Sequence, residues 1–278
     1  MVSQTTTVSF VAHPDDDLLF MNPDIASDIQ AGYNVWVVFM TAGDVPLRPG
    51  KSHGGMGYAD MRINGARTAY ARAARSPNSW TFEEMAFGDH SVATNRLDGT
   101  NVRLVFTFIH AASGPEDNCG DLYRLWNVPD FVAHPIDGRP GYTRASIGTM
   151  IRGILDTAQP AYIRTLSTLG HHEGDHIDHT AAALLVAEAN RDEEGLTLVQ
   201  RDEYIGYLAS RTDAPWDENV FGFWRDEKTA IWNEYWPRDP ELFAGAWFLA
   251  MARQYLLVDR TDPPGNAWEP PTDFVDLC

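Results

Sequence analysis

Short β-branched apolar runs alternate with longer Ala-rich stretches over the first two thirds of this chain, and that alternation constrains its fold more than any other feature. Residues 8–12 form one such run. Residues 35–40 (VWVVFM) and 103–109 (RLVFTFI) read as strands buried on both faces, and residues 80–87 and 162–167 read as further strands. Between them, residues 23–31, 58–75, 144–158 and 179–190 read as helices, with Ser76-Pro77 ending the second. The pattern predicts an α/β fold with a mainly parallel sheet covered by helices. Ligands of such sheets sit beyond the carboxyl ends of the strands.

Residues 111–141, rich in Gly, Pro, Asp and Asn, read as a long surface excursion. The stretch from Tyr204 onward holds Trp216, Trp224, Trp232, Trp236, Trp247 and Trp268 and predicts a strand and two helices, followed by an extended Pro-rich tail. There is neither a low-complexity linker nor a fixed-period repeat, so one domain is expected over residues 1–278.

Charge narrows the partners. Acidic residues outnumber basic ones, 39 to 21, for a formal charge of -18, and no run of Lys or Arg supplies a basic stripe. Nucleic acid and anionic membrane surfaces are therefore excluded as expected partners. No signal-like segment or stretch of roughly 20 apolar residues is present, so a cytoplasmic location is expected. Oligomeric state is not legible. The two cysteines, Cys119 and Cys278, fit no metal or redox spacing and are expected to be free thiols.

Two clusters carry the chemistry. The first, His13-Pro14-Asp15-Asp16-Asp17, follows directly on a buried strand. His13 and Asp16, three residues apart with Pro14 fixing the turn, can converge on one metal ion, leaving Asp15 beside it to take a proton from water. The bland reading of the segment is a helix start that favours acids. The second cluster, residues 171–179, packs four of the chain's nine His and three acids ahead of a helix. His176 and His179 lie three apart, so one of them completes a three-ligand metal site and the other can donate to a developing oxyanion. Asp178 can orient a ring nitrogen, while His171 and His172 are expected in loop or supporting positions. Residues 132–135 echo residues 11–14 but lack the paired acids, and the echo is read as coincidence.

The sequences Ala12-His13-Pro14-Asp15-Asp16-Asp17 and His176-Ile177-Asp178-His179 resemble the signature of PIG-L or LmbE-like zinc N-deacetylases. The resemblance implies a Rossmann-like sheet with helices on both faces and a Zn2+ site at the carboxyl ends of its strands. It implies that His13, Asp16 and His179 bind zinc, that Asp15 is the general base and that His176, protonated, stabilises the transition state. Asp17, in the place of the family's usual Glu, would support the site alongside Asp178. Thr41-Ala42-Gly43-Asp44 resembles a family turn whose acid, Asp44, would contact sugar hydroxyls. Arg62 is a candidate substrate contact, although Gly65 stands where relatives tend to carry Glu.

The chain looks in particular like deacetylases of teicoplanin-type glycopeptide antibiotic pathways, which implies a glycosylated small-molecule substrate bearing N-acetylglucosamine. Another N-acetylglucosaminyl conjugate is the alternative within the family. Outside it, two His and a carboxylate also describe a non-haem iron oxygenase, and a non-catalytic metal-dependent glycan-binding module is a further alternative.

Overall fold

The computed structural model describes residues 4–45, 54–113, 119–242 and 247–277. Seven strands form one sheet: β1 (Thr6–Val11), β2 (Asn34–Phe39), β3 (Trp80–Phe87), β4 (His90–Leu97), β5 (Val102–Phe106), β6 (Tyr162–Leu166) and β7 (Gln200–Tyr204). Their order is β3-β4-β5-β2-β1-β6-β7. The five strands from β5 to β7 are parallel, and the β3-β4 hairpin adds an antiparallel edge.

Period-two burial divides the strands between two cores. Val35, Val37 and Phe39 of β2, with Leu104 and Phe106 of β5, face α1 (Asp16–Phe20), α2 (Asp24–Gln30), α3 (Gly55–Ala73) and α7 (Gly222–Tyr235). Val8 and Phe10 of β1, Val38 of β2 and Val105 of β5 face α4 (Gly120–Asn127), α5 (Arg144–Ala158) and α6 (Ile177–Ala189). This is the expected mainly parallel, Rossmann-like sheet with helices on both faces. None of the described helices is long and apolar enough to cross a membrane.

Three local expectations need correction. β4, sequence HSVATNRL, alternates buried and partly exposed positions and has no apolar run, so the edge hairpin hid it. Much of residues 111–141 is no surface excursion: Leu122 and Leu125 of α4 and Ala133 are buried in the second core. Beyond Tyr204, α7 is the one α-helix among the described residues, and the strand, β7, ends at Tyr204 instead of following it.

The cysteine expectation also fails. Cys119 is disulfide-bonded, while Cys278 lies outside the described residues. The tail returns to α4, where the backbone N–H of Leu277 donates to the Tyr123 hydroxyl at 3.1 Å, a chain reversal that cysteine spacing alone does not reveal.

The topology positions the site. β1 pairs with β2 on one side and with β6 on the other, so the chain leaves β1 in opposite directions for its two neighbours. A crevice opens at such a switch point beyond the carboxyl ends. The two His-rich clusters are the segments that leave β1 and β6 there.

Candidate active site

From β1 the chain turns sharply into α1. The N–H of Asp15 donates to the His13 carbonyl at 2.9 Å, and the N–H of His13 donates to Asp16 Oδ2 at 2.6 Å, so the carboxylate of Asp16 is folded back over the turn. After β6, residues 170–173 make a 3₁₀ turn, Gly174 takes a left-handed conformation at φ 69°, and α6 begins with His176 as its cap. His176 Nδ1 accepts the N–H of Asp178 at 3.2 Å, satisfying one of the free donors of the first helical turn. That turn carries Asp178 and His179 under His13.

The Asp16 carboxylate lies between two imidazoles: Oδ2 is 3.2 Å from His13 Nδ1 and Oδ1 is 2.9 Å from His179 Nε2. The far nitrogen of each ring meets a carboxylate of its own. His13 Nε2 is 3.1 Å from Asp178 Oδ2, and His179 Nδ1 is 2.9 Å from Asp175 Oδ1. Metal-ligating imidazoles are commonly backed in this way, because the second carboxylate fixes ring orientation and tautomer. His179 Nε2 is buried and makes no hydrogen bond, despite its closeness to Asp16. Two inward nitrogens, one of them buried and without a hydrogen bond, and one shared carboxylate fit a divalent cation with N and O ligands. His13, His176 and His179 also place one ring nitrogen each within 4.8 Å of one another, so His176 stands at the same centre.

The electrostatics agree with a site built for positive charge. Burial opposes a charge on His13, yet Asp16 and Asp178 outweigh it and raise the ring to about 9. Burial is likewise overcome at His179, which Asp16 and Asp175 hold well above its ordinary value. For Asp16, burial is outweighed by His179 and His13, which hold it well below the usual carboxylate range. His176 goes the other way: burial, with the positive charge of His13 second, pushes it down to about 4. In the metal-free site the ring is therefore neutral, whereas the sequence reading has it protonated. Since Nδ1 accepts from the backbone, its proton sits on Nε2, and a neutral imidazole in that tautomer still donates.

Asp15 is held by Arg62. Nη2 of Arg62 contacts Asp15 Oδ1 at 2.5 Å, Nη1 donates to the Gly43 carbonyl at 2.8 Å, and Nε donates to the Tyr235 hydroxyl at 3.0 Å, with Asp239 Oδ2 at 3.2 Å. All three guanidinium nitrogens are thus engaged inside the protein, and Arg62 clamps the carboxylate while lining the cavity above it. Burial raises Asp15 to about 6, against the opposing pull of Arg62. Two glycines make the clamp possible. A Cβ on Gly43, at φ 62°, would lie 2.5 Å from Pro14 Cδ and 2.7 Å from Arg62 Nη1, and one on Gly65 would lie 2.8 Å from the Tyr235 ring. The missing acid at position 65 is thereby explained: Tyr235 fills its space, and Asp239 brings a carboxylate to Arg62 from another part of the chain.

A cavity of about 160 Å³ opens over these groups, lined by His13, Asp15, Asp16, Asp44, Arg62, His176, Tyr207 and Trp247 among others. This is below the roughly 300 Å³ at which sites for drug-sized ligands begin, so it suits the reacting end of a larger molecule. Asp44 lines it, but Oδ2 already contacts His110 Nδ1 at 2.6 Å and Oδ1 accepts the N–H of Ala111 at 3.0 Å. Asp17 turns away, accepting from the Tyr70 hydroxyl behind the site. His171 and His172 face the tail at Asp273, and His134 is exposed.

Sequence reading misses Asp175, Tyr207, Tyr235 and Asp239. Asp175 lies within the second cluster, and its i, i+4 spacing to His179 is the available signal. The other three come from the C-terminal region, where no motif marks them. Of the six Trp from Trp216 onward, Trp247 alone lines the cavity; Trp232 is buried and the rest pack against the cores.

A family profile described as GlcNAc-PI de-N-acetylase (PIG-L) matches residues 8–190. The chain belongs to this family. The PIG-L match runs from β1 through α6 and includes both His clusters, while Tyr207, Tyr235, Asp239 and Trp247 lie beyond it. Two solved structures of similar fold are deacetylases by description. One is a triple mutant of a deacetylase of the teicoplanin biosynthetic pathway, 17% identical over 88% of each chain with a TM-score of 0.51. The other is N,N'-diacetylchitobiose deacetylase from Pyrococcus horikoshii in complex with an inhibitor, 14% identical over 89% of this chain and 76% of that one, TM-score 0.52. A sequence search of curated proteins finds no match.

Proposed function

We propose that this PIG-L family member is a zinc-dependent amidohydrolase that removes the N-acetyl group from an N-acetylglucosaminyl moiety. The single observation that carries the reading is the Asp16 carboxylate set between His13 Nδ1 and His179 Nε2, each ring backed by its own carboxylate, with a clamped Asp15 alongside. His13, Asp16 and His179 would hold the ion. When bound, zinc supplies Lewis-acid polarisation of the acyl carbonyl and lowers the pKa of water.

The chain's own residues do the rest. Asp15, raised to about 6 by burial, takes a proton from the attacking water and passes it to the departing amine nitrogen. Arg62 fixes the carboxylate in place. His176 donates from Nε2 to the oxyanion, as a neutral ring. Asp178 and Asp175 orient His13 and His179. Asp44 and Trp247, at the cavity wall, meet the sugar and what is attached to it. The products are acetate and a free amino sugar.

The substrate is proposed to be a teicoplanin-type glycopeptide intermediate. Its supports are the sequence resemblance, the deacetylase fold neighbour described from that pathway and an aromatic wall of Trp247 and Tyr207, whose rings are 5.1 Å apart. The test is acetate release from N-acetylglucosaminyl substrates, glycopeptide and simple, with and without a chelator. Release abolished by chelation and restored by zinc is the expected result. Release that persists after the metal is stripped would refute the mechanism. Activity that depends on ferrous iron and a reductant would favour an oxygenase, and tight binding without release a glycan-binding module.

A further inference from the structure

A second group of metal-type side chains lies outside the site. His171 and His172, consecutive on the 3₁₀ turn that precedes His176, face Asp273 of the C-terminal tail. His172 Nε2 is 2.6 Å from Asp273 Oδ2, and His171 Nε2 is 3.5 Å from Asp273 Oδ1. The two rings are tilted by 53° with centroids 4.1 Å apart, and one donor atom from each of the three residues falls within 4.8 Å of the others. Neither ring nitrogen of His171 makes a hydrogen bond, although its side chain is only 7% exposed. Nε2 has only the Asp273 carboxylate at 3.5 Å, too long for a hydrogen bond, and a buried imidazole nitrogen without a hydrogen bond favours the arrival of a ligand.

We infer that His171, His172 and Asp273 form a second divalent-metal site, distinct from the one at Asp16, that braces the C-terminal tail against the turn leading to His176. Two imidazoles and one carboxylate select zinc or a similar borderline cation over calcium or magnesium, which prefer oxygen donors throughout. The donors need little rearrangement, because ligands about 2.0–2.2 Å from one ion lie roughly 3.5 Å apart. The tail is already seated: Phe274 is buried, with its ring 5.0 Å from that of His171 and 5.3 Å from that of Tyr123. The turn it meets is anchored to α6, since the N–H of His171 donates to Thr180 Oγ1 at 3.1 Å. An ion here would tie residue 273 to the segment that delivers Asp175 and His176.

The experiment is equilibrium dialysis of the metal-stripped full chain against zinc, with elemental analysis of four proteins. The expected result is two zinc per chain for the wild type, one for His172→Ala, one for Asp273→Asn and one for Asp16→Asn. A zinc-dependent rise in Tm of about 5 °C, that expected of a ligand near a hundredfold excess over its Kd, should be present in Asp16→Asn and absent from Asp16→Asn/His172→Ala. A wild type that binds a single zinc lost in Asp16→Asn overturns the inference, as does a second zinc that survives in a His172→Ala/Asp273→Asn double variant. One zinc lost in His172→Ala but kept in Asp16→Asn would uphold this site and refute the proposed catalytic one, so the two readings fail separately.

Discussion

Residues 8–190, which match the PIG-L family, and residues 191–277, which follow, contribute to the site in different ways. The first region carries every group proposed to bind the ion or move a proton: His13, Asp15, Asp16, His176 and His179. The second touches none of these roles directly. It supplies the backbone N–H of Tyr207, which donates to Asp175 at 3.0 Å behind His179, and the pair Tyr235 and Asp239, which hold Arg62 on Asp15. Trp247 closes one wall of the cavity. Chemistry thus resides in the parallel core and its support is recruited from outside. At position 65, for example, Gly leaves room for Tyr235, and the second carboxylate on Arg62 comes from Asp239.

The largest effect that would test this division comes from the first region. His179→Ala should abolish acetate release and lower zinc content at the catalytic site; unchanged zinc on elemental analysis would break the ligand assignment. Next, Asp15→Asn should cut turnover by about 10²- to 10⁴-fold with zinc content nearly unchanged. Equal turnover would remove Asp15 from proton transfer.

In the second region, Asp239→Asn should lower kcat by about 10- to 100-fold, the range typical of residues that orient those at a metal site, with KM little changed and zinc retained. A loss as deep as that of Asp15→Asn would make Asp239 part of the chemistry and dissolve the contrast. Trp247→Ala should act on binding, raising KM about tenfold with kcat largely kept, as removal of uniform binding does.

An effect on stability, with none on turnover, sharpens the comparison at the seam between the regions. Lys228 of α7 is fully buried, with Nζ donating to the Arg253 carbonyl at 2.8 Å. Burial drives its pKa down from 10.5 to about 7, opposed by Asp24 of α2. Between those values the unfolded chain holds a proton that the folded chain lacks, so this group adds stability as pH rises from 7 towards 10.5. Urea unfolding at several pH values should show the wild type gaining on Lys228→Met over this window, by at most about 1.4 kcal/mol per pH unit. A constant difference between the two proteins would place the ammonium in water.

Much of the candidate site was legible in the linear chain because its proposed ligands lie in two short runs. His13 and Asp16 share a turn, and His176, Asp178 and His179 share a helix start, so spacing carried the geometry. Roles were less legible. Asp178 backs the ring of His13, more than 160 residues away in the chain, and the hold of Arg62 on Asp15 shows in no local pattern. The charge state of His176 was hidden for the same reason: burial, which the sequence does not display, pulls its pKa down. The β4 strand was missed because one face of an edge hairpin meets water and breaks the apolar run.

By itself the sequence determined most of the strands and helices up to residue 190, the clustering of the candidate ligands and the place where ligands should gather, since apolar periodicity and local spacing are properties of neighbouring residues. Only the tertiary structure decided that β6 lies beside β1, which brings the two clusters to one crevice, and that the last quarter of the chain folds back to hold Arg62 and Asp175. Those contacts join groups far apart in sequence whose pairing is set by packing and burial, and no local pattern of residues encodes them.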